Sequence, residues 1–150
     1  METRQVVMKH ASDLLRRKGR DIWSVSPDST VYHAIDMMAQ KGVGALLVME
    51  GEKLGGIVSE RDYARKVILR GKSSRETLVR EIMSTPVICV GPDLTIEETM
   101  SIMTENRVRH LPVVVGERVV GVISIGDVVR GIIDDQEFQI HELTKYITGI

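Results

Sequence analysis

The sequence predicts an α/β fold of the α+β type, in which two pseudo-symmetric β-α-β-β-α repeats pack as one module between flanking helices. The first observation is that residues 25–65 match residues 90–130 without a gap, with 14 identities in 41 aligned positions. Such self-similarity is the mark of one folding unit used twice. In both halves, branched apolar runs of strand length alternate with segments of helical period. Both halves also end on Gly-x-x-Ser-x-x-Asp, at 56–62 and 121–127.

The first repeat follows an amphipathic segment that ends in basic residues and Gly19, where cations suit the helix dipole and glycine suits a helix end. Turn residues and glycines then mark the limits of each element. The predicted elements are helix 5–17, strand 22–25, helix 30–41, strands 45–49 and 54–58 as a hairpin, and a helix over about 60–70.

The second repeat has the same order after a polar connection over 71–80 and a short helical turn at 81–83. Its predicted elements are strand 87–90, helix 95–106, strands 111–115 and 118–123, and helix 125–133, after which the tail continues as a helix to 149. We therefore expect an N-terminal helix over 1–17, a first repeat over 18–70, a connection over 71–82, a second repeat over 83–133 and a C-terminal helical tail over 134–150.

The composition argues against several functional classes. A net charge of −1 gives no basic field for nucleic acid, and 3% aromatic residues are few for stacking on bases. One cysteine, Cys89, excludes an internal disulfide and fits a reducing compartment. No apolar run reaches the roughly 18 residues of a membrane span, and the N-terminus lacks the apolar centre of a signal peptide. We expect a cytoplasmic protein that binds neither nucleic acid nor membrane.

The repeated Ser-x-x-Asp places a hydroxyl and a carboxylate where a strand turns into a helix. A serine there can cap the first free N–H groups of the helix, and the same terminus attracts anions such as phosphate. A repeated helix cap with no ligand would give the same residues, and the aspartates would then only complement the helix dipole. Duplication of the whole unit favours a functional role.

These motifs resemble a known family. The Gly-hydrophobic-x-Ser-x-x-Asp endings and Arg-His-Leu-Pro-Val at 109–113 are similar to those of paired CBS domains, named after cystathionine β-synthase. The resemblance covers roughly 18–133 and is closest to small stand-alone bacterial CBS-pair proteins. It implies a Bateman module, in which two repeats around a pseudo-twofold axis leave two clefts. In the family these commonly hold AMP, ADP or ATP, and sometimes S-adenosylmethionine or an NAD-type dinucleotide.

The resemblance implies a role for each residue of the repeated motif. Asp127 and Asp62 match the family's acceptor for the ribose hydroxyls, and a carboxylate can receive two adjacent hydroxyls at once. The serines match a hydroxyl near the phosphate, and the branched residue two positions before each serine would flank the sugar or base. These last four residues are Ser124, Ser59, Val122 and Ile57.

A basic pair makes the two clefts unequal. Arg109 and His110 match phosphate ligands of the family, whereas the first repeat has Gly44 and Ala45 at those positions. Arg61 is the compensating candidate in the Asp62 cleft, because its counterpart in the second motif is Gly126. The alternatives are a solvated rim for the basic pair and a surface ion pair with Glu60 or Asp62 for Arg61.

The resemblance also implies that the walls around adenine come from the opposite repeat. For the Asp127 cleft these residues are Lys18, Trp23, Val43 and Gly44. For the Asp62 cleft they are Met83, Ile88 and Val108. Trp23 has a second interpretation as a core residue.

The function implied is that of a non-catalytic regulatory module that senses an adenine nucleotide (AMP, ADP, ATP or NAD(H)) and needs no metal. The sequence offers no nucleophile-base-acid group, metal cluster or phosphate-binding Gly-rich loop, so we expect no enzyme. A ligand-free dimerisation or scaffold domain that regulates a partner is the alternative. The family resemblance further implies a homodimer that buries the helices after each Ser-x-x-Asp, and an effector protein of unknown identity.

Overall fold

The computed structural model describes residues 8–148 and, for Thr148, the backbone alone. Its contacts divide the chain into two compact units. Unit 1 joins the chain up to Asp21 to the chain from Cys89 onward, and unit 2 runs from Ile22 to Ile88. Each unit mixes helices with strands in the predicted order. The predicted fold class is confirmed, whereas the exact domain boundaries remain predictions.

Unit 2 is a three-stranded sheet with helices. Its strands are β1 (Ser24–Val25), β2 (Ala45–Glu50) and β3 (Lys53–Ser59), in the order β1-β2-β3, with β1 parallel and β3 antiparallel to β2. Helix α2 (Val31–Lys41) begins at Thr30, whose side chain accepts from the His33 N–H, and ends at Gly42 in the left-handed conformation. Helix α3 (Glu60–Tyr63) follows β3 directly.

The core of unit 2 is formed by apolar residues that recur at helical spacing in α2 and lie along β2 and β3. They are joined by residues near the 3₁₀ turn Val79–Glu81, which closes the unit. The buried members are Val25, Val31, Ala34, Met38, Leu46, Val48, Val58, Val67, Val79 and Ile82.

Unit 1 pairs the antiparallel strands β4 (His110–Val115) and β5 (Arg118–Ser124) and carries helices α1 (Ala11–Lys18), α4 (Ile96–Asn106) and α5 (Ile125–Thr148). The side chain of Thr95 caps α4 by accepting from the Glu98 N–H. Its fully buried residues come from all five elements and include Leu15, Ile96, Met103, Leu111, Ile123 and Val128.

The first helix is shorter than predicted. Residues 5–7 lie outside the described residues, and residues 8–10 are not helical because they pair with the chain before α4. The Ile96 N–H donates to the Lys9 carbonyl at 3.0 Å, and the Ala11 N–H donates to the Leu94 carbonyl at 2.8 Å. Helix α1 therefore begins only at Ala11, with His10 as its N-cap.

The predicted strand at 87–90 is wrong apart from one bridge, between Val90 and Val113. The reason lies in the partner strand. In unit 2 the Leu47 N–H donates to the Trp23 carbonyl at 3.2 Å. The residue aligned with Leu47 is Pro112, which has no N–H, so the equivalent ladder bond cannot form. The predicted strand at 22–25 is likewise shortened to two residues.

The two helices after the Ser-x-x-Asp motifs differ in form. The first is regular only over α3 and continues as a π-helix over Ala64–Ile68, where the Leu69 N–H donates to the Ala64 carbonyl. Nothing in the structure explains this change. The second continues without a break into the tail as the 24-residue α5. The predicted short helical turn at 81–83 is a 3₁₀ turn that ends at Glu81.

The repeated glycine of the motif provides room for a segment that crosses the hairpin. A Cβ on Gly121 would lie 2.5 Å from a Leu15 methyl carbon, and one on Gly56 would lie 2.7 Å from the Met83 sulfur. Helix α1 in unit 1 and the chain after the 3₁₀ turn in unit 2 therefore approach equivalent places on the two hairpins.

Candidate functional site

Asp127 is the centre of the candidate site in unit 1. It lies in the first turn of α5, and its side chain is only 6% exposed. The carboxylate accepts from the Ser124 N–H at 2.8 Å, from the Lys18 ammonium at 2.7 Å and from the Arg130 guanidinium at 2.7 Å. The Asp127 N–H in turn donates to the Ser124 hydroxyl at 3.2 Å. The motif is therefore a capping pair to which two cations are added.

These contacts keep the carboxylate ionised. Burial by itself would raise the pKa of Asp127, but the hydrogen bonds from Lys18 and from the Ser124 N–H, together with the lysine charge, outweigh it. The net pKa lies below the ordinary value for aspartate. Asp127 thus presents a negative charge at neutral pH beside the helix N-terminus.

Lys18 is the last residue of α1. Its ammonium bridges two groups of the motif, because it also donates to the Val122 carbonyl at 2.9 Å. Strand β5 holds Val122 two residues before the serine. The structure therefore brings together four of the predicted residues, namely Lys18, Val122, Ser124 and Asp127.

A cavity of about 210 Å³ lies beside this cluster, and α1 and α5 supply its walls. Three of its lining side chains are cations, and one of them, Arg17, also pairs with Asp134. The lining residues are Leu14, Arg17, Lys18, Asp127 and Arg130. Because positive side chains outnumber the single acid in the lining, the cavity suits an anionic group next to a hydrogen-bond acceptor.

The basic pair lies at the same helix terminus. The Ile125 N–H, first in α5, donates to the Arg109 carbonyl at 2.8 Å, and His110 pairs with Ser124 across the hairpin. Burial, and after it the Lys18 charge, lower the pKa of His110, while Asp127 opposes them. His110 is therefore neutral at pH 7 and offers a ring N–H, whereas the exposed Arg109 supplies the charge.

In the equivalent cluster of unit 2, Lys66 is a cation that lies against the carboxylate of the motif. The Asp62 carboxylate accepts from the Ser59 N–H at 2.9 Å and from the Ser59 hydroxyl at 3.0 Å. The Lys66 ammonium lies 3.2 Å from Asp62 and donates to the Ile82 carbonyl at 2.8 Å. The Asp62 side chain is 14% exposed, so this site is more open to water.

The remaining motif residues of both sites surround these aspartates. The Ser84 N–H donates to the Ile57 carbonyl at 2.8 Å, much as Lys18 donates to the aligned Val122. Arg61 is half-buried in the first turn of α3. A Cβ on Gly126 would meet the Arg130 guanidinium only at 3.6 Å, so a side chain has room there.

The predicted adenine walls fall into two groups. Met83 lies in the same unit as Asp62, where it covers Gly56. Trp23 packs on the core of unit 2 with the Lys41 ammonium 4.3 Å above its ring, which agrees with the core interpretation. Unit 2 contains Trp23, Val43 and Gly44, which were assigned to the Asp127 cleft, whereas Asp127 lies in unit 1. Unit 1 contains Val108, which was assigned to the Asp62 cleft, whereas Asp62 lies in unit 2. Ile88 is the last residue of unit 2. These wall assignments remain predictions.

Sequence reasoning missed Arg130 and Lys66, two of the cations that pair with the aspartates. Arg130 follows Asp127 by three positions and Lys66 follows Asp62 by four, so helical spacing alone would have found both. The spacing could not reveal Lys18, which meets Asp127 across 109 positions of the chain.

The family model for the CBS domain matches residues 11–69 and 79–134. The chain belongs to the CBS domain family. The resemblance inferred from the motifs is therefore confirmed, and the chain is a CBS pair. At the repeat offset of 65 positions, Lys18 in the first matched segment aligns with Met83 in the second.

Relatives and solved structures agree with this assignment. CBS domain-containing protein CBSX3, mitochondrial, of Arabidopsis thaliana is 40% identical over 148 residues, which is 92% of this chain and 71% of the relative. The structure of a protein with CBS domains from Burkholderia ambifaria MC40-6 is similar with a TM-score of 0.81 and 48% identity, over 85% of this chain and 96% of that one.

A more distant structure holds ligands. The CBS domain pair of protein MJ0100, in complex with 5-methylthioadenosine and S-adenosyl-L-methionine, has a TM-score of 0.72 and 23% identity, over 82% of this chain and 94% of that one. At this identity the likeness establishes the shared fold. A hexameric CBS-CP12 protein from bloom-forming cyanobacteria is also similar, at 28% identity and a TM-score of 0.74 over 83% of this chain and 71% of that one.

Two kinds of feature are absent from the described residues. No helix among them has the length and apolar character needed to cross a membrane. Within residues 8–148, no group of three or more His, Cys, Asp or Glu side chains lies close enough together to hold a metal ion.

Proposed function

We propose that this CBS pair is a non-catalytic regulatory module that binds an adenine nucleotide at its two Ser-x-x-Asp sites. The observation that carries the proposal is the buried, ionised Asp127 at the start of α5, beside a cavity lined by three cations. A ribose diol needs an acceptor for two hydroxyls, and a phosphate needs cations. Both requirements are present within one cluster of side chains.

Roles in the Asp127 site follow from its chemistry. Asp127 accepts the ribose hydroxyls, and the Ser124 hydroxyl and Arg109 contact phosphate, while His110 donates a ring N–H. Lys18 and Arg130 already occupy the carboxylate. One of them must therefore turn toward the ligand phosphate when the hydroxyls bind, which exchanges one charged hydrogen bond for another. Val122, Gly126, Trp23, Val43 and Gly44 remain proposed neighbours of the sugar and base.

The Asp62 site has the weaker set of phosphate ligands. Lys66 is the cation bound to its carboxylate, and Arg61 stands where the other motif has Gly126. We propose Ser59, Ile57, Met83, Ile88 and Val108 as its remaining contacts. Because the Asp127 site has Arg109 at the helix terminus and both Lys18 and Arg130 on its carboxylate, the more highly phosphorylated ligand should prefer Asp127 over Asp62.

A thermal-shift panel tests the proposal with AMP, ADP, ATP and NAD(H), and with GTP as the control base. A ligand that binds only the folded protein stabilises it by RT ln(1 + [L]/Kd), which is about 2.7 kcal/mol at a hundredfold excess over Kd. We expect a concentration-dependent rise in melting temperature with at least one adenine nucleotide and a smaller rise with GTP. No rise with any adenine compound at millimolar concentration would contradict the proposal.

The alternative is a ligand-free scaffold domain, and one observation favours it. Asp127 accepts hydrogen bonds from three groups of its own chain, so the site is satisfied without a ligand. The same panel separates the two functions, because a scaffold would not respond to nucleotides. In either case we propose a homodimer through the helices after the two aspartates and an effector protein as the regulated partner, with no nucleic acid, membrane or metal involved.

We also propose that the protein acts in the cytosol. The single cysteine supports a reducing compartment. The Arabidopsis relative is named as mitochondrial, so the mitochondrion is the alternative location. Fractionation of cells that carry a tagged full-length protein distinguishes the cytosol from an organelle.

A further inference from the structure

We propose that α5 pairs with α5 of a second copy as a parallel two-stranded coiled coil over Val129–Ile147. The inference deepens the proposed homodimer by naming the segment, the register and the orientation. It does not rest on nucleotide binding.

Helix α5 has two apolar faces, and unit 1 covers only one of them. Val128 is fully buried, Gly131 lies against the Leu14 side chain, Asp134 pairs with Arg17, and Phe138 is half-buried. These residues fall on one side of the helix, at 100° per residue. The packing of α5 on its own unit is therefore accounted for by this face.

The opposite face carries an exposed apolar stripe in a seven-residue repeat. With Gly126 taken as the first position a of a heptad, positions a and d recur through three heptads, and the stripe ends on a fourth residue at position a. The a residues are Gly126, Ile133, Ile140 and Ile147, and the d residues are Val129, Gln136 and Leu143. The apolar side chains other than the glycine are exposed by 42–74%. No charged residue of α5 falls at these positions.

The last turns of α5 need a partner. Beyond Phe138 every residue through Ile147 is exposed. The packed part of α5 nucleates this extension, but its exposed side chains gain no burial, so its stability in water rests on helix propensity alone. Yet this extension presents Ile140, Leu143 and Ile147 on one side. A matching stripe from a second copy would bury all three.

The residue types favour two parallel strands. Isoleucine at a with leucine at d is the pattern of parallel dimers, and here three of the four a positions carry isoleucine while Leu143 is the one leucine at d. In the parallel register Gln136 meets Gln136 of the second copy, where two amides can hydrogen-bond to each other. In the antiparallel register Gln136 would face Ile140, and a buried amide without a partner is unfavourable.

The charges beside the stripe agree with this orientation. The e positions are Arg130, Glu137 and Thr144, and the g positions are Ile132, Gln139 and Tyr146. Parallel pairing places g residues against e residues, so Glu137 meets Ile132 and no like charges face each other. Antiparallel pairing about the middle of the stripe would place Glu137 near Glu137 of the second copy.

Cysteine cross-linking in the full chain tests the pairing directly. On a Cys89→Ala background, Leu143→Cys places a thiol at d, where the two helices meet, and Lys145→Cys places one at f, on the outer side. A disulfide needs Cα atoms about 4.4–6.8 Å apart. With oxidised glutathione we expect Leu143→Cys to give a covalent dimer and Lys145→Cys to give none.

Other outcomes would overturn the proposal. In the first, light scattering shows a dimer, but the Leu143→Cys variant does not cross-link. In the second, the Leu143→Cys and Lys145→Cys variants cross-link equally. A third is cross-linking only when Val129→Cys and Ile147→Cys are combined in one chain, since that requires antiparallel helices. A scattering mass of 16.8 kDa for the unmodified chain at micromolar concentration, the monomer value, would also overturn it.

A substitution pair supplies a second, quantitative readout. Ile140→Asp removes two buried side chains per dimer, and we expect the dimer dissociation constant to rise about a hundredfold or more. His141→Asp places the same carboxylate one residue further along, off the stripe, and should leave the constant within about threefold. Equal effects of the two substitutions in analytical ultracentrifugation would contradict the assigned face.

Discussion

Replacement of Asp127 by asparagine tests the negative charge at the centre of the candidate site in unit 1. Asparagine keeps the size but carries no charge to pair with Lys18 and Arg130. Its NH₂ group faces Arg130 if its oxygen still accepts from the Ser124 N–H, and it faces both Lys18 and that N–H if the amide is turned over. Lys18 is 37% exposed and Arg130 is 61% exposed. We assign the arginine pair the value of an exposed ion pair, about 0.5 kcal/mol, and the lysine bond about 1.5–3 kcal/mol. The expected loss in the free energy of unfolding is therefore about 2–3.5 kcal/mol.

Asp62→Asn is the matched control, because in the same motif there Lys66 lies at 3.2 Å from the carboxylate, a longer contact than the 2.7 Å of Lys18 and Arg130 at Asp127, and the Asp62 side chain is 14% exposed. We expect it to cost about 1–2 kcal/mol. Urea denaturation at pH 7 and 25 °C, followed by far-UV circular dichroism, measures both variants against the unmodified chain. A cost for Asp62→Asn that equals or exceeds the cost for Asp127→Asn would refute the reasoning.

Three further outcomes are expected. Folding lowers the pKa of Asp127, so its ionised carboxylate stabilises the fold above the unfolded pKa of about 3.9, and this stabilisation is lost as the pH falls through the folded pKa. The free energies of unfolding of the unmodified chain and of Asp127→Asn should therefore converge as the pH falls below about 4. Gly121→Ala should cost about 1–3 kcal/mol by overpacking Leu15 in urea denaturation, whereas Gly91→Ala, with open space around it, should cost almost nothing. Arg109→Ala should weaken ATP binding in calorimetry by roughly 1.5–3 kcal/mol, and no change would remove Arg109 from the site.

Much of the fold could be predicted because the repeat supplies two readings of each element. Thr30 and Thr95 cap their helices in both copies, and the hairpin strands lie within one or two residues of their predicted limits. The repeat led to a wrong prediction of a strand at 87–90. Its absence depends on the missing N–H of Pro112, which lies in a different strand. A local apolar pattern carries no information about the hydrogen-bonding partner.

The candidate site was predictable only where its contacts are local. The serine and aspartate of each motif are three residues apart, so the capping pair follows from spacing alone. Lys18 was placed among the residues near adenine, yet its ammonium binds the Asp127 carboxylate, because α1 ends beside the start of α5. The charge state of His110 was also beyond the sequence, since burial and Lys18 together lower its pKa.

The most direct test of the central claim is a calorimetric titration of ATP into the unmodified chain and into the Asp127→Asn variant, with Asp62→Asn beside it. Circular dichroism establishes that each protein is folded at the temperature of the titration. We expect binding to the unmodified chain and a loss of about tenfold or more in affinity at the tighter site in Asp127→Asn. We expect Asp62→Asn to leave the tighter site intact. Undiminished binding in Asp127→Asn would contradict the proposed role of Asp127.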